Sequence, residues 1–381
     1  MSLAGDTTRR RTIVLLGIGH TNAHVVKKWA TEPIANCDLV CISKFPTATY
    51  SGMLPGTLGK QFNDDEMRID LQSLCDRASA KLIIADTSGL DLATGQLSFT
   101  DHPSITFDAL SIGVGSVPSG WQQHCQSPLM VPIKPMQTFL RRLDNRLSDV
   151  GSQCRGNIRV AIVGGGVAGI EIAFCLQQLF QKRESERSVE LTIYTSSPRV
   201  ADGMTDRSVR LIEKLLEQRM IRVRPNHRVN HVDTDSIRTD DQKSHLVDCV
   251  IWATGAAAPP VIEKLGLPTD SSGFIATSST LQSLADHRIF AVGDAGTIMS
   301  SPSPKAGVYA VRHCPILWNN LRAFFDNRPL LTYQPQRDFL KLLNTGDGKA
   351  LLQYKRLTLH ARWCWYLKTW IDRRFIGEFQ A

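Results

Sequence analysis

The sequence has no apolar run approaching the ~18 residues of a membrane-spanning helix, so no bilayer-crossing helix is expected. It has no Cys-x-x-Cys pair and no His/Cys grouping with zinc spacing, so no metal site is expected. It has no low-complexity stretch. Residues 1–12 carry positive charge but no apolar segment, so no signal peptide is expected. Charged residues make up 21% of the 381 positions and hydrophobic residues 42%, which excludes a disordered chain. At roughly 100–200 residues per domain, the length allows two or three domains.

The nine cysteines read as buried thiols of a reducing compartment, which points to the cytoplasm. Cys37 and Cys41 fall on one apolar strand, where an i,i+4 spacing of ~13 Å is too long for a disulfide. The net charge is +8, and residues 355–381 hold six Lys/Arg against two acids, half of the excess. The charge is local and no nucleic-acid motif accompanies it, so no nucleic acid is expected as a partner.

What is present is a repeated β-α-β pattern. Thr12–Leu16 reads as a strand buried on both faces, ending in Gly17-Ile18-Gly19. His20–Ala30 reads as a helix and Cys37–Ile42 as the next strand. The pattern returns with the strand Asn157–Val163, the turn Gly164-Gly165-Gly166-Val167-Ala168-Gly169, the helix Ile170–Phe180 and the strand Val189–Tyr194. Val117-Pro118, Pro128, Pro132 and Pro135 fill the linker with breakers that suit a domain crossing.

In a dinucleotide site the first glycine makes the tight turn. The second lets backbone approach the pyrophosphate, and the third lets helix and strand pack closely. The helix N-terminus then offers free N–H groups to the phosphates. Gly164, Gly166 and Gly169 meet all three requirements. The first loop has Gly17 and Gly19 but Asn22 at the third position. Neither unit ends its second strand with the acid that binds an adenosine ribose: Ser43-Lys44 stands in one and Thr195-Ser196-Ser197 in the other. Hydroxyls with Arg199 nearby lean slightly to NADPH and leave NADH open.

Three further segments carry a resemblance. Phe107–Pro118 is similar to the Tyr-Asp-x-Leu-x-x-Ala-Thr-Gly-Ser-x-Pro strand of flavoproteins with two dinucleotide sites. Val247–Gly255 is a second such strand with Ala253-Thr254-Gly255 intact, and Arg288–Ala295 resembles their late Ile-Phe-Ala-x-Gly-Asp motif. The order of these motifs resembles the pyridine nucleotide-disulfide oxidoreductase superfamily. Tyr50–Gly56 and the tail from Leu343 to Phe375 resemble, within it, the NADH dehydrogenase-like flavoprotein found fused in front of selenide, water dikinase. No kinase domain follows here, which would make this the free-standing form.

The resemblance implies an α/β fold. Two Rossmann-like domains of the glutathione-reductase type would be joined by a small C-terminal α+β region. FAD would occupy residues 1–118 with 277–330, and NAD(P)H 119–276, leaving 331–381 as an interface region. Gly17, Gly19 and His20 would meet the FAD pyrophosphate, with Ser43 and Lys44 toward its ribose. Gly164, Gly165, Gly166, Gly169 and Thr195 would meet NAD(P)H. Gly115 and Gly255 would let backbone pass close to the cofactors. Gly293 and Asp294 would hold the ribityl chain, unless Asp294 only caps a helix. Tyr50 and Pro55 would lie beside the flavin ring, or else serve the core.

The implied activity is FAD-dependent NAD(P)H oxidation with electrons passed to a second acceptor, a quinone or small molecule. Disulfide reductases of the superfamily carry Cys-x4-Cys in the region matching Phe45–Phe62, and no cysteine stands there, so no redox disulfide is expected. Type II NADH dehydrogenases lack it too. Ser303–Ala310 reads as a helix start with an early proline. Lys305 and the Ala306 and Gly307 amides would stabilise negative charge on the reduced flavin, a solvated Lys305 being the competing reading. Glu171 follows Gly169 as the acid does in type II NADH dehydrogenases. Its competing use is to favour the helix dipole.

Cys125, Cys154 and Cys314 are the candidates if the chain instead resembles sulfide:quinone oxidoreductases. A non-catalytic nucleotide-binding scaffold is the remaining alternative. In the tail, Leu359, Trp363, Tyr366 and Trp370 fall at helical spacing, continued by Leu367, Ile371 and Phe375, with Arg362, Lys368, Arg373 and Arg374 between. Such a stripe suits peripheral contact with the inner membrane face through 355–381, or else the core or a second copy in a homodimer.

Overall fold

A computed structural model describes residues 9–153, 157–182 and 188–380. Cys154 and residues 1–8 lie outside the described residues. The first parallel sheet runs Ile289–Ala291, Ala109–Ile112, Arg11–Leu16, Cys37–Ser43, Lys81–Ile84. The second runs Met130–Pro132, Cys249–Trp252, Ile158–Val163, Val189–Tyr194, Arg222–Arg224, again all parallel. The architecture is therefore mixed α/β with two Rossmann-like sheets that share the order of four strands, the edge strand following those four in the first sheet and preceding them in the second. Central strands buried on both faces account for the runs Ile13–Leu15 and Val160–Ile162, which are fully or almost fully buried.

The two halves repeat small devices. Each has a three-stranded antiparallel sheet over one face: Thr87–Asp91, Gln96–Phe99 and Ile105–Thr106 in the first, and Val229–Val232, Ser236–Thr239 and Ser244–Leu246 in the second. Each uses an aspartate to hold the start of the neighbouring strand. Asp108 Oδ2 accepts from the Thr12 N–H at 2.7 Å, and Asp248 Oδ2 from the Arg159 N–H at 2.8 Å. The late strand Ile289–Ala291 joins the first sheet although it follows the whole second one. The chain thus crosses from the first sheet to the second and back.

The helix after the first glycine loop is His20–Trp29, and the one after the second is Val167–Lys182. The latter begins three residues before Ile170, because the glycine turn already runs into helical conformation. The helix expected from Ser303 begins instead at Gly307 and ends at Phe325. Ser303-Pro304-Lys305 approaches it as an irregular segment.

The C-terminal region is an antiparallel sheet (Lys341–Asn344, Ala350–Tyr354, Leu357–Ala361) followed by the helix Arg362–Gln380. The single tail stripe read from the sequence is corrected here. Leu359 lies on a strand, and the helix has two apolar faces. Cys364, Ile376 and Phe379 are buried, with Leu367, Ile371 and Phe375 half-buried, whereas Trp363, Tyr366 and Trp370 are 51%, 63% and 57% exposed. Counting apolar residues at helical spacing merged an inner and an outer face. Among the described residues no helix is long and apolar enough to cross a membrane.

The inner face should carry the docking energy. Phe379 is 2% exposed. Phe379→Ala should cost ~3–5 kcal/mol in denaturant unfolding. Trp370→Ala should stay within about 0.5 kcal/mol. Equal costs for the two would contradict this assignment of faces.

Candidate active site

Both glycine loops sit at the C-terminal edges of their sheets, where doubly wound folds leave a crevice for ligands. In the second loop Gly164 has φ +125°, and a Cβ there would lie 2.2 Å from the Ala253 carbonyl oxygen. A Cβ on Gly169 would lie 2.1 Å from the Gly164 oxygen, and one on Gly165 2.7 Å from Thr195. Gly166 has nothing within 4 Å and is exposed. Three of these glycines are thus required by packing, and the fourth leaves an open backbone face. That is the cradle a pyrophosphate needs.

The first loop reaches the same geometry differently. Gly17 has φ +80°, and its Cβ would lie 2.8 Å from the backbone of Gly113. Asn22, at the third-glycine position, is fully buried. Its Nδ2 donates to the Gly17 carbonyl at 2.8 Å and to the Ser111 carbonyl at 3.3 Å, and its Oδ1 accepts from Ser111 Oγ at 2.7 Å. The asparagine ties the loop to the next strand where a glycine would only let them approach. Gly113 is a partner that sequence reasoning passed over, although it stands in the Phe107–Pro118 segment. Gly115 has φ +73°, and both it and Gly255 have nothing within 4 Å. Ser119 connects the two regions: its N–H donates to the Gly255 carbonyl at 2.7 Å, and Thr254 Oγ1 donates to its carbonyl.

The other nominated residues divide. His20 begins the first helix; burial lowers its pKa to about 4, so the ring is neutral, and its Nε2 has no hydrogen-bond partner among the described residues. Tyr50 stacks on Phe375 at 4.7 Å, with the His20 ring 5.4 Å from both. Pro55 is buried in the short helix Leu54–Leu58. Lys44 pairs with Asp86 at the surface, and Ser43 Oγ donates to the Phe45 carbonyl. Arg199 is paired with Asp206 and Asp202, so its charge is already matched. Gly293 has φ +59°, and its N–H donates to His313 Nδ1 at 3.1 Å. Asp294 sits in a short 3₁₀ turn and caps no helix; its Oδ2 accepts from Ser116 Oγ at 2.6 Å.

Lys305 departs from both readings. Its Nζ donates to the Gly296 carbonyl at 2.6 Å and Thr297 Oγ1 at 2.8 Å, and lies 4.0 Å from the Phe274 ring centre. Burial lowers its pKa to about 8, against the pull of Asp294 and Asp270. It is a half-buried cation fixed on protein acceptors, ahead of the helix whose N-cap is Ala306.

Glu171 meets an unanticipated cluster. It is half-buried, and burial pushes its carboxyl up to about 7, against the pull of Lys368 and the Asn344 N–H that donates to Oε1 at 2.7 Å. Lys368 and Asp372 are buried on the inner face of the C-terminal helix and pair at 2.8 Å. Burial opposes the charge on Lys368, yet Asp372 and Glu171 hold its pKa above the ordinary value. Lys368 Nζ also donates to the Gly52 carbonyl, and Tyr50 Oη donates to Asp372 Oδ1 at 3.0 Å. Burial and then Asp372 push the Tyr50 hydroxyl far up, so it stays protonated. Glu171 of the nucleotide helix, Tyr50 of the first half and the C-terminal helix thus converge. An i,i+4 Lys/Asp pair inside an apolar stripe was the sequence signal for this cluster.

Seven cysteines are buried and Cys125 is exposed among the described residues. Burial pushes the Cys314 thiol up to about 12. Among the described residues no group of three His, Cys, Asp or Glu is placed to hold a metal ion.

Comparisons with known proteins fit this geometry. The model of the family "Pyridine nucleotide-disulphide oxidoreductase" matches residues 11–313. The NADH dehydrogenase-like protein YutJ of Bacillus subtilis is 21% identical, over 77% of this chain and 79% of its own. The type II NADH:quinone oxidoreductase of Haemophilus influenzae is 23% identical, over 60% of this chain and 59% of its own. The chain therefore spans less than two thirds of that relative. The solved NDH2 of Plasmodium falciparum in complex with NADH superposes with a TM-score of 0.81 at 14% identity, covering 97% of this chain and 98% of its own.

A carboxyl with a folded pKa of about 7 instead of 4.5 binds extra protons in the folded state between those values. Its contribution to stability is full below the lower value and is lost as pH rises through the upper one. In urea unfolding, the native protein should lose more stability between about pH 5 and about pH 8 than Glu171→Gln does. Parallel curves would contradict the raised pKa.

Proposed function

The chain belongs to the pyridine nucleotide-disulphide oxidoreductase family, and from that premise we propose an FAD-dependent NAD(P)H dehydrogenase that passes electrons to a quinone-like acceptor without a redox disulfide. FAD is assigned to residues 1–118 with 277–330, and NAD(P)H to 119–276. When bound, FAD supplies hydride acceptance from the nicotinamide and release of the electron pair to the acceptor. The observation that carries the reading is the convergence on Glu171. One half-buried carboxyl near neutrality lies two residues after the nucleotide loop, against the ring cluster of the first half and the C-terminal ion pair.

The chain's own residues do four things. Gly19, Gly166 and the two helix N-termini offer backbone N–H groups to phosphates. Thr195 places no acid where a 2′-phosphate would be repelled, so NADPH as well as NADH is accommodated. Reducing a quinone with NAD(P)H takes one proton from solvent, and Glu171 Oε2, which has no hydrogen-bond partner among the described residues, would hold and deliver it. Lys368 stays charged beside it and favours the carboxylate that delivery leaves, which solvent then reprotonates.

The outer face of the C-terminal helix supplies the acceptor's entry surface. Trp363, Tyr366 and Trp370 are exposed with Arg362, Arg373 and Arg374, and the neighbouring turn exposes Tyr354, Lys355, Arg356 and Leu357. Aromatic rings ringed by cations suit the interface of an anionic bilayer. This surface supports the reading of a cytoplasmic protein that works at a membrane and draws on a lipid-soluble quinone. The likeness of Tyr50–Gly56 and the tail to the flavoprotein fused to selenide, water dikinase supports a relative of that enzyme within the family. The described cysteines supply no observation in favour of the sulfide reading.

Quinone assays on the FAD-loaded protein test both parts, with a water-soluble analogue and with quinone held in anionic vesicles. Glu171→Gln should lower turnover about 10²-fold with either acceptor. A Trp363→Ser, Trp370→Ser double variant should lose the vesicle activity and keep the soluble one. Full turnover in Glu171→Gln would contradict the proton role, and vesicle activity in the double variant would contradict membrane entry.

A further inference from the structure

Lys134 belongs to neither glycine loop nor to the Glu171 cluster. It stands two residues past Met130–Pro132, the edge strand of the second sheet. From there it reaches the first half. Its Nζ donates to Ser116 Oγ at 2.7 Å, Ser116 Oγ donates on to Asp294 Oδ2 at 2.6 Å, and Nζ itself lies 3.6 Å from that oxygen. Ser116 is 6% exposed, and the Lys134 and Asp294 side chains are 26% and 19% exposed. Burial lowers the pKa of Lys134, and Asp294 acts against that. The electrostatic field at the His20 ring, at the first glycine loop, comes from the same two groups.

The arrangement is asymmetric. Both contacts fall on Oδ2, and among the described residues Oδ1 of Asp294 accepts from no protein group. A carboxylate held by one oxygen keeps a fixed plane and presents the other to a ligand. Covering that carboxylate with a ligand removes its remaining water. An aspartate without a partner would then be a costly buried anion, whereas one already paired with a lysine is compensated.

We propose that Lys134 and Ser116 are positioning residues for FAD: they fix and neutralise Asp294 so that its free oxygen receives a hydroxyl of the cofactor. The inference rests on the functional reading above. It also makes the FAD site incomplete without a residue from the nucleotide half. Lys134 comes from the linker, whereas Lys305 donates to the Gly296 carbonyl and Thr297 Oγ1.

The test measures the FAD dissociation constant of the full chain by flavin fluorescence, alongside thermal melting of the cofactor-stripped protein. Lys134→Met should weaken FAD about tenfold or more with melting unchanged. Lys134→Arg should restore affinity to within about threefold, and Ser116→Ala should weaken it about threefold or more. An unaltered constant in Lys134→Met would overturn the inference, as would a loss of affinity matched by an equal loss of melting temperature in both Lys134→Met and Ser116→Ala. Native protein that takes up no FAD would remove this inference together with the functional reading. Native uptake with an unaltered Lys134→Met constant would remove this inference alone.

Discussion

Two strand pairs approach each other more closely than side chains permit. At Gly17 the backbone meets Gly113, and at Gly164 it meets Ala253. In each half this approach bends the loop out of the sheet edge and aims a helix N-terminus across it. The rest of the site depends on that bend. Without it the N–H groups of His20–Trp29 and Val167–Lys182 would not face the crevice, and Glu171, early in the second helix, would not lie near the C-terminal helix. The two loops are fastened differently: at Gly169 by bare contact, at Asn22 by three hydrogen bonds.

Charges across the molecule are arranged in pairs that leave specific atoms free. Lys368 and Asp372 satisfy one another, and Tyr50 and the Gly52 carbonyl complete them. Glu171 keeps one oxygen on Asn344 and leaves the other open. Asp294 does the same with Ser116 and Lys134. Where the fold has no need of a free group, the pairing closes, as at Arg199 and Lys305. Residues near the crevice with an unmet valence are therefore few, and they mark where ligands are expected.

Much of this was legible in the sequence. Gly164 and Gly169 are set by backbone contacts that no other residue tolerates and Gly166 by an open backbone face, so the three announce a nucleotide loop directly. The late strand at Arg288–Ala295 was legible because its motif follows the whole second sheet. Side-chain direction was less legible. Lys305 was expected to face the flavin, but a segment outside any helix turned it onto Gly296 and Thr297. The tail read as one stripe, because a helix packed on one side and aromatic on the other shows the same apolar count. Lys134 was invisible, since its partner is 160 residues away in sequence and meets it only when the two halves are in place.

The central claim is a flavin that passes electrons directly, with no thiol pair beside it. Anaerobic titration of the FAD-loaded protein with NADH and with NADPH, followed by visible absorption, tests it most directly. The account predicts complete bleaching at one equivalent of nucleotide per flavin, with no further uptake. A protein that binds no flavin, a flavin that neither nucleotide bleaches, or a second equivalent consumed before bleaching is complete would contradict it.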